Sequence, residues 1–281
     1  MQAELLQIGD TIGIVAPSHV AERERYEAIL AGIRARGFAV KTGENMYKNT
    51  YGYLASEQER ADDFNAMVRD PAVKMVFFGG GNGGAEVLPL LDYDAIARHP
   101  KLYVSYSDGT SILNAIYAKT GLITYYGQSP GNFAELTPYD EAQFMSHFVR
   151  GGVTDFVPNS RWHTLTQGVC EGTLIGGYTV NFALLMRGDY FRHDPNERYV
   201  LFLEDHEMFG DVAFVSAMLS HIEQSGFAGS VGRLRRFGER YGVPVVYCDD
   251  FGHGANHAIL PIGCRATFDA TRRTLRFDAN T

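Results

Sequence analysis

The segment Tyr103-Val104-Ser105-Tyr106-Ser107-Asp108-Gly109-Thr110 indicates the fold, because an apolar strand runs directly into a turn and then into a helix. We predict the strand over Leu102–Tyr106 and the helix over Thr110–Lys119. Further strands are predicted over Thr11–Ala16, Phe38–Lys41, Val73–Phe78 and Leu122–Tyr125. The helices predicted between them cover Glu22–Arg36, Ser56–Arg69 and a stretch from about Glu86. This alternation predicts a parallel sheet covered by helices on both faces.

The second half of the chain has a different pattern. One helix is predicted over Tyr139–Arg150, and the polar segment Gly151–Gly168 that follows is typical of a linker. The strands predicted beyond it are Thr173–Ile175, Tyr199–Leu203, Val243–Tyr247, Ala266–Asp269 and Thr274–Phe277, and the helices lie near Thr179–Met186 and Val212–Gln224. The sequence therefore predicts an N-terminal α/β domain over residues 1–150, a linker over 151–170 and a smaller, β-rich α+β domain over 171–281.

The composition limits the classes of partner. The chain has 281 residues, with 25 Lys and Arg against 33 Asp and Glu, and a formal net charge of −8. An acidic chain without basic clusters is a poor candidate for binding nucleic acid or an anionic membrane, and no apolar run reaches 18 residues. The three cysteines, Cys170, Cys248 and Cys264, are too far apart to indicate a disulfide scaffold or a cysteine zinc site. No signal peptide is visible. We therefore predict a cytoplasmic protein that binds neither nucleic acid nor a membrane.

Ser107 is the first candidate for chemistry, because it follows a predicted strand and precedes a helix. A sharp strand-to-helix turn exposes a hydroxyl at the carboxyl edge of a sheet, and the helix N-terminus stabilises nearby negative charge. The N–H of Asp108 would then face an oxyanion. The pattern departs from G-x-S-x-G, since Ser105 stands where the first glycine belongs, although Gly109 is present. Spacing alone favours the alternative that Ser107 or Asp108 only caps the helix.

The glycine-rich segment Gly79–Gly84 follows the third predicted strand. It contains G-x-G-x-x-G, the pattern of dinucleotide-binding loops, but that loop normally follows the first strand, with an acidic residue about 20 positions further on. Asp92 and Asp94 come too early for that role. An oxyanion-binding loop that faces Ser107 explains the glycines equally well, and a tight turn without a ligand is the third alternative.

The remaining candidates for catalytic or metal-binding residues are two histidines and a glutamate at the end of a predicted strand. His253 and His257 are four residues apart, as zinc ligands are in H-E-x-x-H, but Gly252 and Gly254 disfavour the helix that this spacing requires. The other roles are a general base or two surface histidines. Glu204 follows an apolar strand, so its carboxylate either orients an imidazole or begins a solvated loop.

Together these segments resemble the L,D-carboxypeptidase family of serine peptidases, peptidase family S66. The segments that carry the resemblance are Gly9–Ser18, Tyr51–Ala55, Glu59–Ala61, Leu90–Asp94, Ala118–Gly121, Glu171–Gly177, Phe202–Asp205 and Phe251–His253. They occur in the family's order, from about residue 8 to residue 277, and the ordered set is more specific than any one motif.

The resemblance implies a fold and a set of site residues. The N-terminal domain would be like the class I glutamine amidotransferases, and the C-terminal domain a smaller, swivelling β structure. The residues that match the family's catalytic triad are Ser107 as nucleophile, Glu204 as orienting acid and His253 as general base. The oxyanion hole would consist of the N–H groups of Asp108 and Gly81, with Gly80 and Asn82 binding substrate.

The resemblance also implies an activity. We expect a cytoplasmic peptidase of peptidoglycan recycling that releases the terminal D-Ala of a murein tetrapeptide, needs no cofactor or metal, acts on a small peptide and forms a homodimer. Tyr125–Gln128 and Ile116–Gly121 are closer to the family's microcin-immunity branch, which cleaves peptidyl or aminoacyl nucleotide analogues. A nucleotide-binding module or dehydrogenase that uses Gly79–Gly84, and an inactive relic of the fold, remain as alternatives.

Two departures from the family concern the substrate. Typical carboxypeptidases of the family have Arg at the position of Gly79 and Tyr at the position of Asn82. Without that guanidinium, the loop offers only backbone N–H groups and one amide side chain to a terminal carboxylate. The sequence therefore predicts weak discrimination between a peptide acid and its amide.

Overall fold

The structure, a computed structural model, describes residues 1–186, 188–191, 194–205 and 231–278. Its strands are β1 (Thr11–Val15), β2 (Ala39–Thr42), β3 (Val73–Phe78), β4 (Leu102–Ser105), β5 (Thr124–Tyr126), β6 (His163–Thr166), β7 (Val169–Tyr178), β8 (Tyr199–Glu204), β9 (Val245–Tyr247), β10 (Leu260–Ile262), β11 (Arg265–Asp269) and β12 (Thr274–Phe277). Its α-helices are α1 (Arg23–Ala35), α2 (Glu57–Arg69), α3 (Tyr93–Arg98), α4 (Thr110–Thr120), α5 (Pro138–Phe144), α6 (Thr179–Leu185) and α7 (Val231–Tyr241).

The larger sheet has the order β10-β5-β4-β3-β1-β2, in which the first five strands of the chain are parallel. The parallel α/β prediction is therefore confirmed for this half. Strands β3 and β4 are neighbours, so the loops that follow them meet at the same edge of the sheet. This adjacency brings the glycine segment and Ser107 together.

The helices around this sheet follow their sequence signals. The predicted capping box at α2 is present: the Ser56 hydroxyl accepts the N–H of Glu59, and the Glu59 carboxylate accepts the N–H of Ser56. The helix predicted from about Glu86 is instead a 3-10 turn over Gly84–Leu90, followed by α3. Pro89 explains the difference, because proline has no N–H for the helical ladder.

The C-terminal half forms a four-stranded sheet of order β12-β11-β7-β8 and a two-stranded pair, β6 with β9. The predicted strands are found here, but β6 lies inside the segment predicted to be a linker. The predicted helix Val212–Gln224 lies outside the described residues. Strand β10, which the sequence analysis missed, pairs antiparallel with β5 and therefore belongs to the first sheet. Its residues Leu260 and Ile262 are buried, so β10 covers an apolar sheet edge.

The two halves of the chain are in direct contact at α4. The Asn114 side chain donates to the Gly176 carbonyl at 2.8 Å, and the Tyr178 N–H donates to the Thr110 hydroxyl at 2.8 Å. Gly177 has a φ of +134°, and a Cβ there would lie 2.5 Å from the Thr110 hydroxyl. Glycine at this position therefore permits the close packing of β7 on α4. No helix within the described ranges is long and apolar enough to cross a membrane.

Candidate active site

Ser107 lies in a strained turn between β4 and α4. Its φ is +56°, and within the described residues Arg273 is the only other non-glycine residue with a positive φ. Such a conformation costs about 1–3 kcal/mol in a non-glycine residue and persists where the surroundings enforce it. The Thr110 hydroxyl donates to the Ser107 carbonyl at 2.6 Å. Gly109, not Ser107 or Asp108, occupies the N-cap position of α4, so the capping role that spacing favoured is wrong.

The glycine segment contacts Ser107 through Gly80. A Cβ at Gly80 would lie 2.6 Å from the Ser107 Cβ and 3.0 Å from its Oγ, so any side chain there would displace the hydroxyl. Gly81 packs on the other side of the segment: its φ is +143°, and a Cβ there would lie 2.1 Å from the Ser18 carbonyl oxygen. The N–H of Asn82 donates to that same oxygen at 2.8 Å. The segment is therefore fixed against Ser18 while its backbone faces Ser107.

The carboxylate of Asp108 binds the backbone of the glycine segment Gly79–Gly84. The N–H of Gly84 donates to Oδ2 at 2.6 Å, and the Asn181 amide of α6 donates to Oδ1 at 2.7 Å. Burial raises the pKa of this carboxyl. A carboxylate that already occupies a loop N–H would also repel a phosphate, which disfavours the nucleotide-binding alternative for this segment. The N–H of Asp108 lies in the first helical turn, where backbone N–H groups have no partner within the helix.

The buried side chain of Arg60 holds the glycine segment Gly79–Gly84 in place, and the sequence analysis gave this residue no role. Its buried guanidinium donates to the carbonyls of Gly83 at 2.8 Å, Pro17 at 2.5 Å and Ala55 at 3.0 Å. It also forms an ion pair with Glu86. An arginine in a helical stretch resembles a surface residue, so only the tertiary structure reveals this buried cation.

His19 is a second residue that the sequence analysis missed. Its ring lies beside Gly79, where a Cβ would be 3.0 Å from the His19 Cε1. Its Nε2 lies 2.7 Å from the Tyr26 hydroxyl, and burial lowers the pKa of the imidazole. A histidine with a lowered pKa therefore lies beside Gly79, the position at which the resemblance described above implies arginine in typical carboxypeptidases.

Glu204 and His253 form a close acid–imidazole pair. The His253 Nδ1 lies 3.0 Å from each oxygen of the Glu204 carboxylate, and the two side chains are 17% and 5% exposed. Glu204 ends β8, as predicted. Gly252 has a φ of +99°, and a Cβ there would lie 2.6 Å from the Glu204 Oε2. Glycine thus allows the loop to approach the acid closely enough for the next residue to bind it.

The His253 ring also lies beside the turn that contains Ser107. Its centroid is 5.1 Å from that of Tyr106, the residue before Ser107, and 5.5 Å from that of Tyr178 at the end of β7. The Tyr126 hydroxyl, at the end of β5, lies 3.0 Å from the Ser107 nitrogen and 2.7 Å from the Glu204 Oε1. Side chains from both halves of the chain therefore lie close to the turn that contains Ser107.

His257 does not share a site with His253. Its Nδ1 and its backbone N–H both lie 3.0 Å from the buried carboxylate of Asp140 on α5. The two histidines thus bind different acids, and no group of three or more potential metal ligands occurs among the residues that the structure describes. Asp140 instead anchors the loop that carries His253.

Comparisons with known proteins found similar sequences and similar solved structures. A family profile described as the LD-carboxypeptidase N-terminal domain, Peptidase S66, matches residues 12–127. A Bacillus subtilis protein named "Probable murein peptide carboxypeptidase" is 28% identical over 98% of this chain and 93% of its own length. The chain is therefore similar to peptidase family S66 over residues 12–127, and to a carboxypeptidase relative over nearly its whole length. It is thereby similar to hydrolases of the carboxypeptidase type.

The similar proteins also include microcin-immunity proteins. The microcin C7 self-immunity protein MccF of Escherichia coli is 39% identical over 43% of this chain and 37% of its own length. The structure of MccF with aspartyl sulfamoyl adenosine matches with a TM-score of 0.85 at 24% identity, over 99% of this chain and 98% of that one. An MccF-like protein from Bacillus anthracis matches with a TM-score of 0.88 at 21% identity, over 100% of both chains. These structures share the mixed α/β fold with a parallel sheet.

Proposed function

We propose that this protein is a serine carboxypeptidase that hydrolyses an L,D-peptide bond and releases the terminal D-Ala of a murein tetrapeptide. The observation that supports the proposal most directly is the position of the Glu204–His253 pair beside the left-handed turn that contains Ser107: the His253 ring contacts Tyr106, and the Tyr126 hydroxyl contacts both the Ser107 N–H and Glu204. The similarity to a murein peptide carboxypeptidase over nearly the whole chain supports the substrate class. The catalytic groups come from both predicted domains, 1–150 and 171–281.

The proposed mechanism follows the logic of a serine triad. His253 takes the proton of the Ser107 hydroxyl as its oxygen attacks the carbonyl carbon of the L,D bond, and Glu204 stabilises the imidazolium that forms. The N–H groups of Asp108 and Gly81 hold the oxyanion, with Gly80 and Asn82 against the substrate backbone. His253 then gives its proton to the amine of the departing D-Ala. Water hydrolyses the acyl ester, again with His253 as base.

The test is release of D-Ala from a purified murein tetrapeptide. We expect the wild-type protein to release D-Ala and to react with a fluorophosphonate probe at Ser107 in the presence of EDTA. Loss of activity in EDTA that zinc restores would contradict a mechanism without a metal. Absence of both hydrolysis and labelling would overturn the proposal and leave the inactive fold as the better description.

A second candidate is hydrolysis of an aminoacyl or peptidyl nucleotide analogue by the same triad. It is favoured by the 39% identity to MccF over less than half of the chain, and by the fold shared with MccF, whose structure is known in complex with aspartyl sulfamoyl adenosine. Turnover of aspartyl sulfamoyl adenosine and of the tetrapeptide, measured side by side, separates the two substrates. A kcat/KM at least a hundredfold higher for the analogue would replace the murein proposal.

A further inference from the structure

Tyr126 is the one side chain among the described residues that joins the nucleophile's backbone to the acid of the proposed triad. It ends β5 and is fully buried. The Ser107 N–H donates to its hydroxyl oxygen at 3.0 Å, and the same hydroxyl lies 2.7 Å from the Glu204 Oε1. One phenol therefore connects the two halves of the chain at the candidate site.

A proton count fixes the direction of these hydrogen bonds. A phenol has one proton, and the backbone N–H of Ser107 can only donate, so the hydroxyl oxygen accepts from Ser107. The phenol proton is then directed to the Glu204 carboxylate, which can only accept while ionised. Burial and the neighbouring carboxylate both raise the pKa of Tyr126, which keeps the phenol protonated.

The bond to Ser107 affects the oxyanion hole. Because the Ser107 N–H is directed to Tyr126, it is unavailable to a substrate oxyanion, which leaves the N–H of Asp108 as the donor from this turn. The same bond opposes relaxation of the left-handed φ of Ser107, since rotation of that peptide would leave a buried N–H without its acceptor.

The bond to Glu204 affects the general base. Tyr126 binds Oε1 while the ring of His253 lies against the carboxylate, so the phenol fixes the plane in which the acid meets the imidazole. A hydrogen bond donated to a carboxylate also withdraws negative charge from it. Glu204 therefore stabilises an imidazolium less than it would without Tyr126.

We propose that Tyr126 is a positioning residue that fixes the Ser107 turn and the Glu204 carboxylate together, and that sets the pH range in which His253 acts as a base. The inference rests on the proposed serine mechanism but not on its substrate. Other titratable groups around the Glu204–His253 pair in the described chain are Tyr106, Tyr178 and Asp205, with His257 and Arg25 beyond Tyr106. All of these are unchanged when only the Tyr126 hydroxyl is removed.

The test compares Y126F with Y125F. Tyr125 is the preceding tyrosine and is also buried, and its ring packs on Phe148, on the opposite face of the strand. The readout is the rate of fluorophosphonate labelling of Ser107 against pH. We expect Y126F to react about ten- to a hundredfold more slowly at its optimum. The midpoint on the acid side should move to higher pH, because the freed carboxylate binds the imidazolium more strongly. Y125F should keep the wild-type rate and midpoint.

Three results separate this inference from the proposed function. Wild-type labelling with an unchanged midpoint in Y126F, or the same shift in Y125F, overturns the role of Tyr126 while the serine mechanism stands. If the wild type neither hydrolyses peptide nor reacts with the probe, the proposed function fails. NMR titration of the His253 ring signals then still tests Tyr126, because the midpoint of these signals should lie at higher pH in Y126F than in the wild type.

A second substitution addresses the case in which Y126F does not fold. Replacement of Tyr126 by 3,5-difluorotyrosine keeps the ring and the hydroxyl but makes the hydroxyl a stronger donor to Glu204. The acid-side midpoint should then move down, opposite to the shift in Y126F. A shift in the same direction as Y126F, or none, would contradict the role of the hydroxyl.

Discussion

The nucleophile and the base of the proposed triad are positioned in opposite ways. Ser107 lies in a turn formed by consecutive residues between a buried strand and a helix. His253 lies in a loop between β9 and β10 that contains neither helix nor strand. Two buried carboxylates hold that loop: Asp250 accepts the Trp162 indole N–H, and Asp140 accepts the backbone N–H of His257. The serine's geometry is therefore encoded locally, whereas the histidine's depends on contacts distant in sequence.

The largest expected effect comes from removing the hydroxyl of Ser107, the residue whose geometry is encoded locally. We expect S107A to lose about 10⁴-fold or more in kcat for D-Ala release, as triad members typically do. The melting temperature should stay within a few degrees, because a hydroxyl at a strand end contributes little packing. The matched control is S105A, which removes a buried hydroxyl two residues earlier on β4 and should retain activity. Wild-type turnover by S107A would exclude the serine mechanism.

A smaller effect is expected when a methyl group is added beside Ser107 and the serine itself is kept. In G80A the new methyl group would meet the Ser107 Cβ at 2.6 Å, so either the hydroxyl or the glycine segment must move. We expect kcat to fall about 10²- to 10³-fold, as when one oxyanion donor is lost. The control is G254A, next to His253, where a Cβ meets no atom within 4 Å and φ is not positive. Similar losses in both variants would mean that the Gly80 contact is unimportant.

The buried Asp250 carboxylate tests whether contacts distant in sequence position His253. In D250A the Trp162 indole and the Asn159 N–H lose their acceptor, which stood at 2.5 Å and 2.8 Å respectively. We expect the free energy of unfolding to fall by about 1–3 kcal/mol and kcat to fall about tenfold, since a displaced His253 transfers protons less efficiently. These are measured by thermal denaturation and by D-Ala release.

Asp249, the residue before Asp250, provides the matched control. Asp249 is exposed and bonds only the Tyr247 hydroxyl through its side chain among the described residues. D249A should therefore leave stability and kcat near the wild-type values. If D250A lowers stability but leaves kcat unchanged, the carboxylate supports the fold and does not position His253.

The contrast also explains what the sequence could predict. The parallel strands, the capping box of α2 and the turn at Ser107 follow from periodicity and local residue types, and the structure contains all of them. Glu204 could be placed at a strand end for the same reason. The role of each of these residues in catalysis stays a prediction that the variants above test.

Residues whose importance comes from distant partners could not be found in this way. Arg60 lies in an amphipathic helix, and nothing near it in sequence indicates that it binds the carbonyls of Pro17 and Gly83. Strand β10 has three residues and acquires its place only by pairing with β5. Short strands and buried charges depend on tertiary contacts that a local pattern does not contain.

The smallest expected effect concerns substrate choice at the edge of the glycine segment. Gly79 supplies no guanidinium, and burial lowers the pKa of the adjacent His19, so that imidazole adds no full positive charge at neutral pH. A charge-assisted hydrogen bond to a carboxylate contributes about 1.5–3 kcal/mol, or ten- to a hundredfold in kcat/KM, and Gly79 has no side chain that could donate one. We therefore expect kcat/KM for a tetrapeptide with a free C-terminal D-Ala and for its amide to agree within about tenfold. A preference for the acid above a thousandfold would show that another cation binds the carboxylate. Arg25 of α1 would be the first to replace, because its charge acts on both Tyr106 and His19.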